Sequence, residues 1–296
     1  NARARIVGVV DAAGARAAAA ADAGGATAMS DHRELIGKVD AASVTVPTSA
    51  HHAVAADLID AGIHVFIEKP VTATVAEARD LVERAARRGV TVQVGHIERF
   101  SPAFRAVLDA APAPRLVECV RRGPWTGRSA DVDVVLDLMI HDIDLVLALV
   151  GEPVADVRAS GVRVASRSND VAEARLVFAG GAVATLAACR VAPAQERTLA
   201  VAGEGERILA DLAALTVTRI AGTDAGVRSE TAALDRADAL AAEIAAFLGS
   251  VAGGTKPLVD GAAGLAALDI AERILNAMPG PAPAAPLPVS TEPQRP

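Results

Sequence analysis

The sequence predicts an α/β fold: a doubly wound parallel sheet followed by an α+β domain with a mostly antiparallel open sheet. Two observations predict it. Up to about Phe100, short apolar runs alternate with helical patterns, and several runs are apolar on both faces, as in Val44-Thr45-Val46 and Val65-Phe66-Ile67. Strands buried on both faces and separated by helices belong to parallel sheets. Beyond Phe100 most runs follow one another through tight turns, marked by Gly180-Gly181 and Gly203-Glu204-Gly205, as antiparallel strands do.

In order, the first part predicts strands at 5–10, 26–29, 42–47, 64–67 and 91–94, with helices at 15–23, 33–36, 49–61 and 75–88. Thr48 or Ser49 is the expected cap of the helix over 49–61. A helix over 102–110, a strand over 116–121 and a helix over 136–150 open the second part. Strands at 157–164, 172–178, 182–191, 198–202, 207–210 and 216–220 follow, and helices over 237–251 and 262–277 close it. This divides the chain into a parallel-sheet α/β domain (1–98), an α+β domain (99–278) and a Pro/Ala-rich tail (279–296) of disordered composition.

Composition narrows the partners. Aromatic residues are 2% of the chain, with no Tyr and one Trp, so Ala, Val, Leu and Ile must build the core. A net charge of -7 argues against a non-specific nucleic-acid binder, which needs a basic face. The two cysteines, Cys119 and Cys189, lack metal-type or redox-type spacing and read as reduced thiols of a cytoplasmic protein. No apolar run reaches the length of a membrane span, and no signal peptide is visible. The open face of an antiparallel sheet suggests a homo-oligomer.

The run Ile6-Val7-Gly8-Val9-Val10 ends in Asp11, an acid suited to accept hydrogen bonds from both ribose hydroxyls of a dinucleotide. It would repel a 2′-phosphate, favouring NAD over NADP. The glycine loop of such a unit precedes the acid by about 20 residues, which places it, with the first strand, before Asn1. The expectation is therefore an N-terminally truncated Rossmann unit. Gly203-Glu204-Gly205 lies between two strand-like runs and reads as a hairpin turn, not a phosphate cradle.

Glu68-Lys69-Pro70 follows an apolar strand, so Lys69 sits where open α/β sheets bind ligands, beyond the strands' C-terminal ends. An amine there hydrogen-bonds a substrate hydroxyl and steadies a developing alkoxide. Asp137, His141 and Asp144, at i, i+4 and i+7, fall on one stripe of an otherwise apolar helix. Buried acids and imidazoles need partners, and a neutral His oriented by a carboxylate suits alcohol oxidation. No third His or Cys supports a metal site. His96 and Arg99 lie at the apparent hinge, either facing the cleft or as ordinary linker polarity. Arg121, Arg122 and Arg128 surround Gly123-Pro124-Trp125 and suit a phosphate, although a solvated basic loop explains them equally.

Val46-Pro47-Thr48 with His51, then Glu68-Lys69-Pro70, then Asp137-x-x-x-His141-x-x-Asp144 stand in the order and spacing of one family. Over roughly residues 1–275 the chain resembles the glucose-fructose oxidoreductase/inositol dehydrogenase (Gfo/Idh/MocA) family. The resemblance implies an NAD-dependent oxidoreductase acting on a sugar or nucleotide-sugar hydroxyl. It implies Lys69 as the catalytic lysine, with Asp137 and His141 as the acid and imidazole at the substrate hydroxyl. It further implies Asp11 at the ribose and Pro47, Thr48 and His51 on the nicotinamide side; Glu68 and Lys69 complete the expected cofactor set, and His96, Arg99, Arg122 and Asp144 are the expected substrate residues. A narrower likeness, in Gly95-His96-Ile97-Glu98-Arg99-Phe100 and the run from Asp131 to Asp144, is to a subgroup that includes UDP-N-acetylglucosamine 3-dehydrogenases. A free-sugar or inositol dehydrogenase, or a non-catalytic NAD-binding regulator of the same fold, are the alternatives.

Overall fold

The structure is a computed structural model and describes residues 4–111, 113–127 and 132–278. The tail over 279–296 and Arg128 lie outside the described residues. The first half runs β1 (Gly8–Val10), α1 (Gly14–Gly24), β2 (Thr27–Met29), β3 (Ala41–Val44), α2 (Thr48–Asp60), β4 (His64–Glu68), α3 (Val75–Arg88) and β5 (Val92–Gly95). Its strand pairs are all parallel: β1 with β2, and β3–β4–β5 in a second group. Among the described residues no strand pair joins the two groups.

Local sequence explains these elements. Val65, Phe66 and Ile67 of β4 are all buried, as a central parallel strand requires. In α3, Thr74 caps the N-terminus while Glu77 reaches back to the Thr74 N–H, and Gly89 ends the helix at φ 66°. The helix predicted over 33–36 is a single 3₁₀ turn, His32–Leu35, closed by the same reciprocal cap between Asp31 and Glu34. The expected cap of α2 is corrected: Pro47 holds the N-cap position, and no side chain bonds the first turn. Proline has no side-chain acceptor to offer, and its backbone carbonyl accepts from Ala50 N–H at 2.8 Å.

The second half runs α4 (Pro102–Ala110), β6 (Leu116–Arg122), a π-helical turn (Val135–Met139), α5 (Ile140–Val150), then β7 (Val154–Val162), β8 (Val171–Phe178) and β9 (Val183–Cys189). It continues with β10 (Glu196–Gly203), β11 (Glu206–Asp211), β12 (Thr216–Thr223), β13 (Gly226–Ala233), α6 (Ala239–Gly253) and α7 (Gly261–Ala277). The strands form one eight-stranded sheet, ordered β13-β12-β11-β10-β6-β9-β8-β7, antiparallel except for the β6–β9 pair. Glu204-Gly205 turns the β10–β11 hairpin, with Gly205 at φ 74°, as expected of a turn. β13 went unpredicted because its eight residues are all exposed and carry no apolar alternation.

Each half has its own core. The larger joins the π-helical turn and α5 to one sheet face through residues such as Met139, Ile143, Leu176 and Leu186; the smaller surrounds β3–β5. α7 bridges both, sending Ala267, Ile270, Ala271 and Ile274 into the larger core and Leu268 into the smaller. Just before α7 the chain returns to β5, where Val94 N–H donates to Val259 O at 2.9 Å.

Candidate active site

The parallel strands deliver Asp11, Pro47-Thr48, Lys69 and His96 to one edge, because each follows the C-terminal end of β1, β3, β4 or β5. Lys69 Nζ donates to the Asp137 carbonyl at 2.7 Å and lies 3.9 Å from Asp137 Oδ1. Burial lowers the Lys69 pKa, and the Asp137 and Glu68 carboxylates only partly oppose it. Glu68 reaches across to the next strand: a Cβ at Gly95 would stand 3.0 Å from Glu68 Oε2, so the glycine leaves room for that carboxylate.

Asp137 sits within the π-helical turn, whose Ile140 N–H reaches back to Val135 O. Asp133 starts the run by accepting from Val135 N–H at 3.0 Å. The wider turn breaks the predicted single stripe of Asp137, His141 and Asp144. Asp137 faces Lys69 and stands 4.0 Å from Arg190, whose guanidinium lies 5.5 Å from the centre of the Trp125 ring. His141 is part-exposed; its Nδ1 is the buried nitrogen, which leaves Nε2 for the cleft. Burial, with Lys69, Arg121, His96 and Arg197 nearby, holds its pKa well below the ordinary imidazole value, so the ring is a neutral base at pH 7.

Four predicted substrate residues take other positions. Asp144 is buried and accepts two hydrogen bonds from Arg99, at 2.7 and 3.2 Å, so this pair ties the turn after β5 to α5 rather than meeting a sugar. His96 is 1% exposed with neither ring nitrogen bonded, and its ring stands edge-on to His141 at 6.4 Å between centres. Arg122 lies on the opposite sheet face from Arg121, because side chains alternate along β6, and it pairs with Glu196 at 3.2 Å. Arg197, across from Arg121 in the register, lies on the cleft side with 43% of its side chain exposed.

Arg121 is buried as well. It donates to Asp142 and reaches Glu98 at 2.7 Å, so it is not free to hold a phosphate. Burial works against its charge, but Asp142 and Glu98 outweigh that and keep the guanidinium protonated. Asp142 and Glu98 were not singled out from the sequence; the available signal was a second acid, next to His141, in an apolar helix. Arg190, Arg197 and Glu243 were missed too, because a charged residue in a strand or Ala-rich helix reads as surface until the strand's phase or the helix's packing is known.

At the cofactor edge, Asp11 accepts from Ala13 N–H at 2.7 Å and from Arg16 Nε at 2.9 Å. The Arg16 hydrogen bond holds its carboxyl below the usual range. His51 is corrected: its ring is buried, with Nδ1 2.9 Å from Pro70 O and Nε2 2.8 Å from Val46 O. It clamps the Val46-Pro47-Thr48 loop to the Lys69-Pro70 turn and offers no free nitrogen to a cofactor. An acid after β1, the loop after β3 and a desolvated amine after β4, each beyond a parallel strand's C-terminal end, fit a nicotinamide dinucleotide. Among the described residues no three His, Cys, Asp or Glu side chains gather as a metal would require.

Residues 1–96 match the profile of an oxidoreductase family with an NAD-binding Rossmann fold, and residues 93–209 match the GFO/IDH/MocA C-terminal domain. The chain belongs to the Gfo/Idh/MocA oxidoreductase family. Family members line up along most of it. The UDP-N-acetylglucosamine 3-dehydrogenase of Acidithiobacillus ferrooxidans is 41% identical over 237 residues, which is 78% of this chain and 76% of that protein. A solved structure of the enzyme of that name and organism superposes with a TM-score of 0.88 at 37% identity, covering 92% of this chain and 89% of the other. Inositol 2-dehydrogenase 3 of Saccharopolyspora erythraea is 31% identical over 55% of this chain and 51% of its own. As a Gfo/Idh/MocA member the chain is an NAD-binding oxidoreductase that acts on a CH–OH group. The N-terminal profile accounts for the parallel strands, and the second profile covers the π-helical turn and α5.

Proposed function

We propose that this chain oxidises a hydroxyl of a nucleotide sugar, most closely the sugar 3-hydroxyl of UDP-N-acetylglucosamine, with NAD as acceptor. The observation that carries the reading is the Lys69–Asp137–His141 constellation at the strand edge: a desolvated amine, a carboxylate and a neutral imidazole around one opening. Its closeness to the Acidithiobacillus ferrooxidans enzyme over three quarters of both chains supports the choice of substrate. NAD, when bound, supplies the hydride acceptor.

His141 takes the hydroxyl proton at Nε2. Lys69 donates to the same oxygen and stabilises the charge that builds on it as the proton leaves. Asp137 holds Lys69 through its backbone carbonyl and side chain, and Arg190 steadies Asp137. Asp11 accepts the ribose hydroxyls by displacing the largely exposed Arg16, while Pro47 and Thr48 line the nicotinamide side. Glu68 fixes the strand end beneath Lys69. Residues 1–98 make the cofactor half and 99–278 the substrate half. Arg197 takes the place of Arg122 as the cation beside the cleft. Both cysteines are free thiols, which suits the cytoplasm, and no helix among the described residues is long and apolar enough to cross a membrane.

The open sheet face carries a cavity of about 890 Å³ and residues of both signs, including Glu118, Glu173, Arg175 and Arg207. In this reading a second copy of the chain covers this face, because a two-fold axis sets one surface against itself and can place its acids opposite its bases. Light scattering reads a dimer or larger; a mass of one chain at micromolar concentration contradicts it. The functional test is NADH formation with UDP-N-acetylglucosamine, free N-acetylglucosamine and myo-inositol. Turnover with the nucleotide sugar alone is expected. Lys69→Met lowers its kcat by about 10²-fold or more, the scale of a lost acid–base partner. Equal turnover of the free sugar, or an unaffected Lys69→Met variant, contradicts the reading.

A further inference from the structure

All five Phe of the chain are buried, whereas its single Trp, Trp125, is 39% exposed. Trp125 lies in the turn after β6. Gly123 N–H donates to Cys189 O at 2.9 Å, and Gly123 O accepts from Ala192 N–H at 3.0 Å, so the turns after β6 and β9 run side by side. They bring Trp125 to Arg190, whose guanidinium carbon lies over the indole at 5.5 Å from the ring centre. Arg190 in turn stands 4.0 Å from Asp137, which pairs with Lys69. Trp125 is thus joined to the reacting groups through two side chains.

Arg190 is held firmly. It is 5% exposed, and it donates from Nε to Asp170 Oδ1 at 2.8 Å and from Nη1 to Val132 O at 2.7 Å. Its Nη2 donates to Ser166 Oγ at 2.8 Å and to Ser168 Oγ at 3.0 Å. Asp170 is itself fully buried and accepts from the N–H groups of Val164, Ala165 and Ser166. A planar guanidinium bonded in this way cannot follow a ligand, so the indole against it has a fixed backing. A large aromatic ring with a cation on one side and more than a third of its surface open is built to stack on a second flat ring.

We propose that Trp125, backed by Arg190, is the platform on which the uracil base of the nucleotide sugar stacks. The proposal rests on the nucleotide-sugar reading above and names the residue that senses the nucleotide. With the sugar hydroxyl at Lys69 and His141, the base is the far end of the substrate, and Trp125 stands two side chains beyond the reacting groups. Arg197, opposite Arg121 in the register of β10 on β6 and 43% exposed, lies at the same end of the sheet, where the diphosphate between sugar and base needs a cation. A free sugar offers neither a ring to the indole nor a phosphate to the arginine. Trp125 touches substrate far from the reacting atoms, so it acts on binding rather than on the chemical step.

The chain has one Trp and no Tyr, so its emission reports on this site alone. UDP, without a sugar, is titrated into the protein with NAD present, with excitation at the red edge of the indole band, where uracil and NAD do not absorb. Saturable quenching is expected, with an upfield shift of the uracil ring protons in the NMR spectrum of bound UDP; N-acetylglucosamine alone is expected to leave the emission unchanged. Failure of UDP to bind in calorimetry, binding that leaves the emission unchanged, or quenching by N-acetylglucosamine and not by UDP overturns the proposal. In turnover, Trp125→Leu is expected to raise the KM for UDP-N-acetylglucosamine about tenfold or more while kcat falls far less, and Trp125→Phe, which keeps an aromatic face, to recover most of that loss. Equal KM in folded Trp125→Leu and the wild type also overturns it. A wild-type protein that quenches with UDP yet oxidises no nucleotide sugar contradicts the substrate reading instead and supports the platform.

Discussion

At Lys69 the carbonyl of Asp137 and two carboxylates gather round an amine that burial would otherwise discharge. The lysine was legible because a charged residue following an apolar strand stands at the ligand-binding edge of any parallel sheet. His141 was legible as a polar interruption of an apolar helix. Arg122 was misread for a physical reason: a strand's period is two, and one position of phase decides which face a side chain meets. Val120 and Cys119 are both apolar enough to leave that phase open until the partner strand is known. Glu243 was illegible, because only the packing of α6 on β4 and β5 reveals that its carboxyl is buried. It yields a pH prediction. Its pKa stands at about 8 folded against an ordinary 4.5, so the folded state binds the extra proton between those values. Stability from this group therefore falls as pH rises from about 4.5 to 8 and is level above. His96 and His141, with lowered values, act in the opposite sense below 6.5, where the unfolded chain binds more protons. Glu243→Gln is expected to raise the Tm at pH 8 and to flatten its decline between pH 6 and 8, leaving the acid side unchanged. Parallel Tm curves for the two proteins would show that Glu243 ionises as it would in water.

Among the elements, the π-helical turn and α7 do most to position the site. A regular α-helix would set Asp137, His141 and Asp144 on one stripe; the turn instead sends Asp137 to Lys69 and Asp144 to Arg99. Spacing in the sequence assumes 3.6 residues per turn and cannot foresee the extra residue. α7 approaches β5 closely enough that a Cβ at Gly264 would stand 2.5 Å from Val94 Cγ2. Because Val94 is fully buried in the smaller core, the strand has little room to give. Gly264→Ala is therefore expected to destabilise the protein by about 1–3 kcal/mol in denaturant unfolding, despite alanine's better helix propensity. A gain in stability would mean that α7 does not press on β5 as described.

Across the whole molecule, the two sheet systems were legible from opposite habits of sequence: strands separated by helices before Phe100, hairpins after it. The boundary is less simple than the sequence implies, since the segment before α7 returns to pair with β5 and α7 enters both cores. Lys69 from the first half and Asp137 and His141 from the second thus meet across a junction tied by α7 and by the Arg99–Asp144 and Arg121–Glu98 ion pairs. Such rigidity suits hydride transfer, which demands near-contact geometry between carbon and acceptor. At this junction the proposed reaction sends a hydride from the 3-carbon of a nucleotide sugar to NAD. The most direct measurement follows deuterium from UDP-N-acetylglucosamine labelled at C3 into the reduced dinucleotide by mass spectrometry. One deuterium per NADH formed, with a primary isotope effect on turnover, is the result predicted. Unlabelled NADH, or bound NAD with no reduction at all, would contradict it.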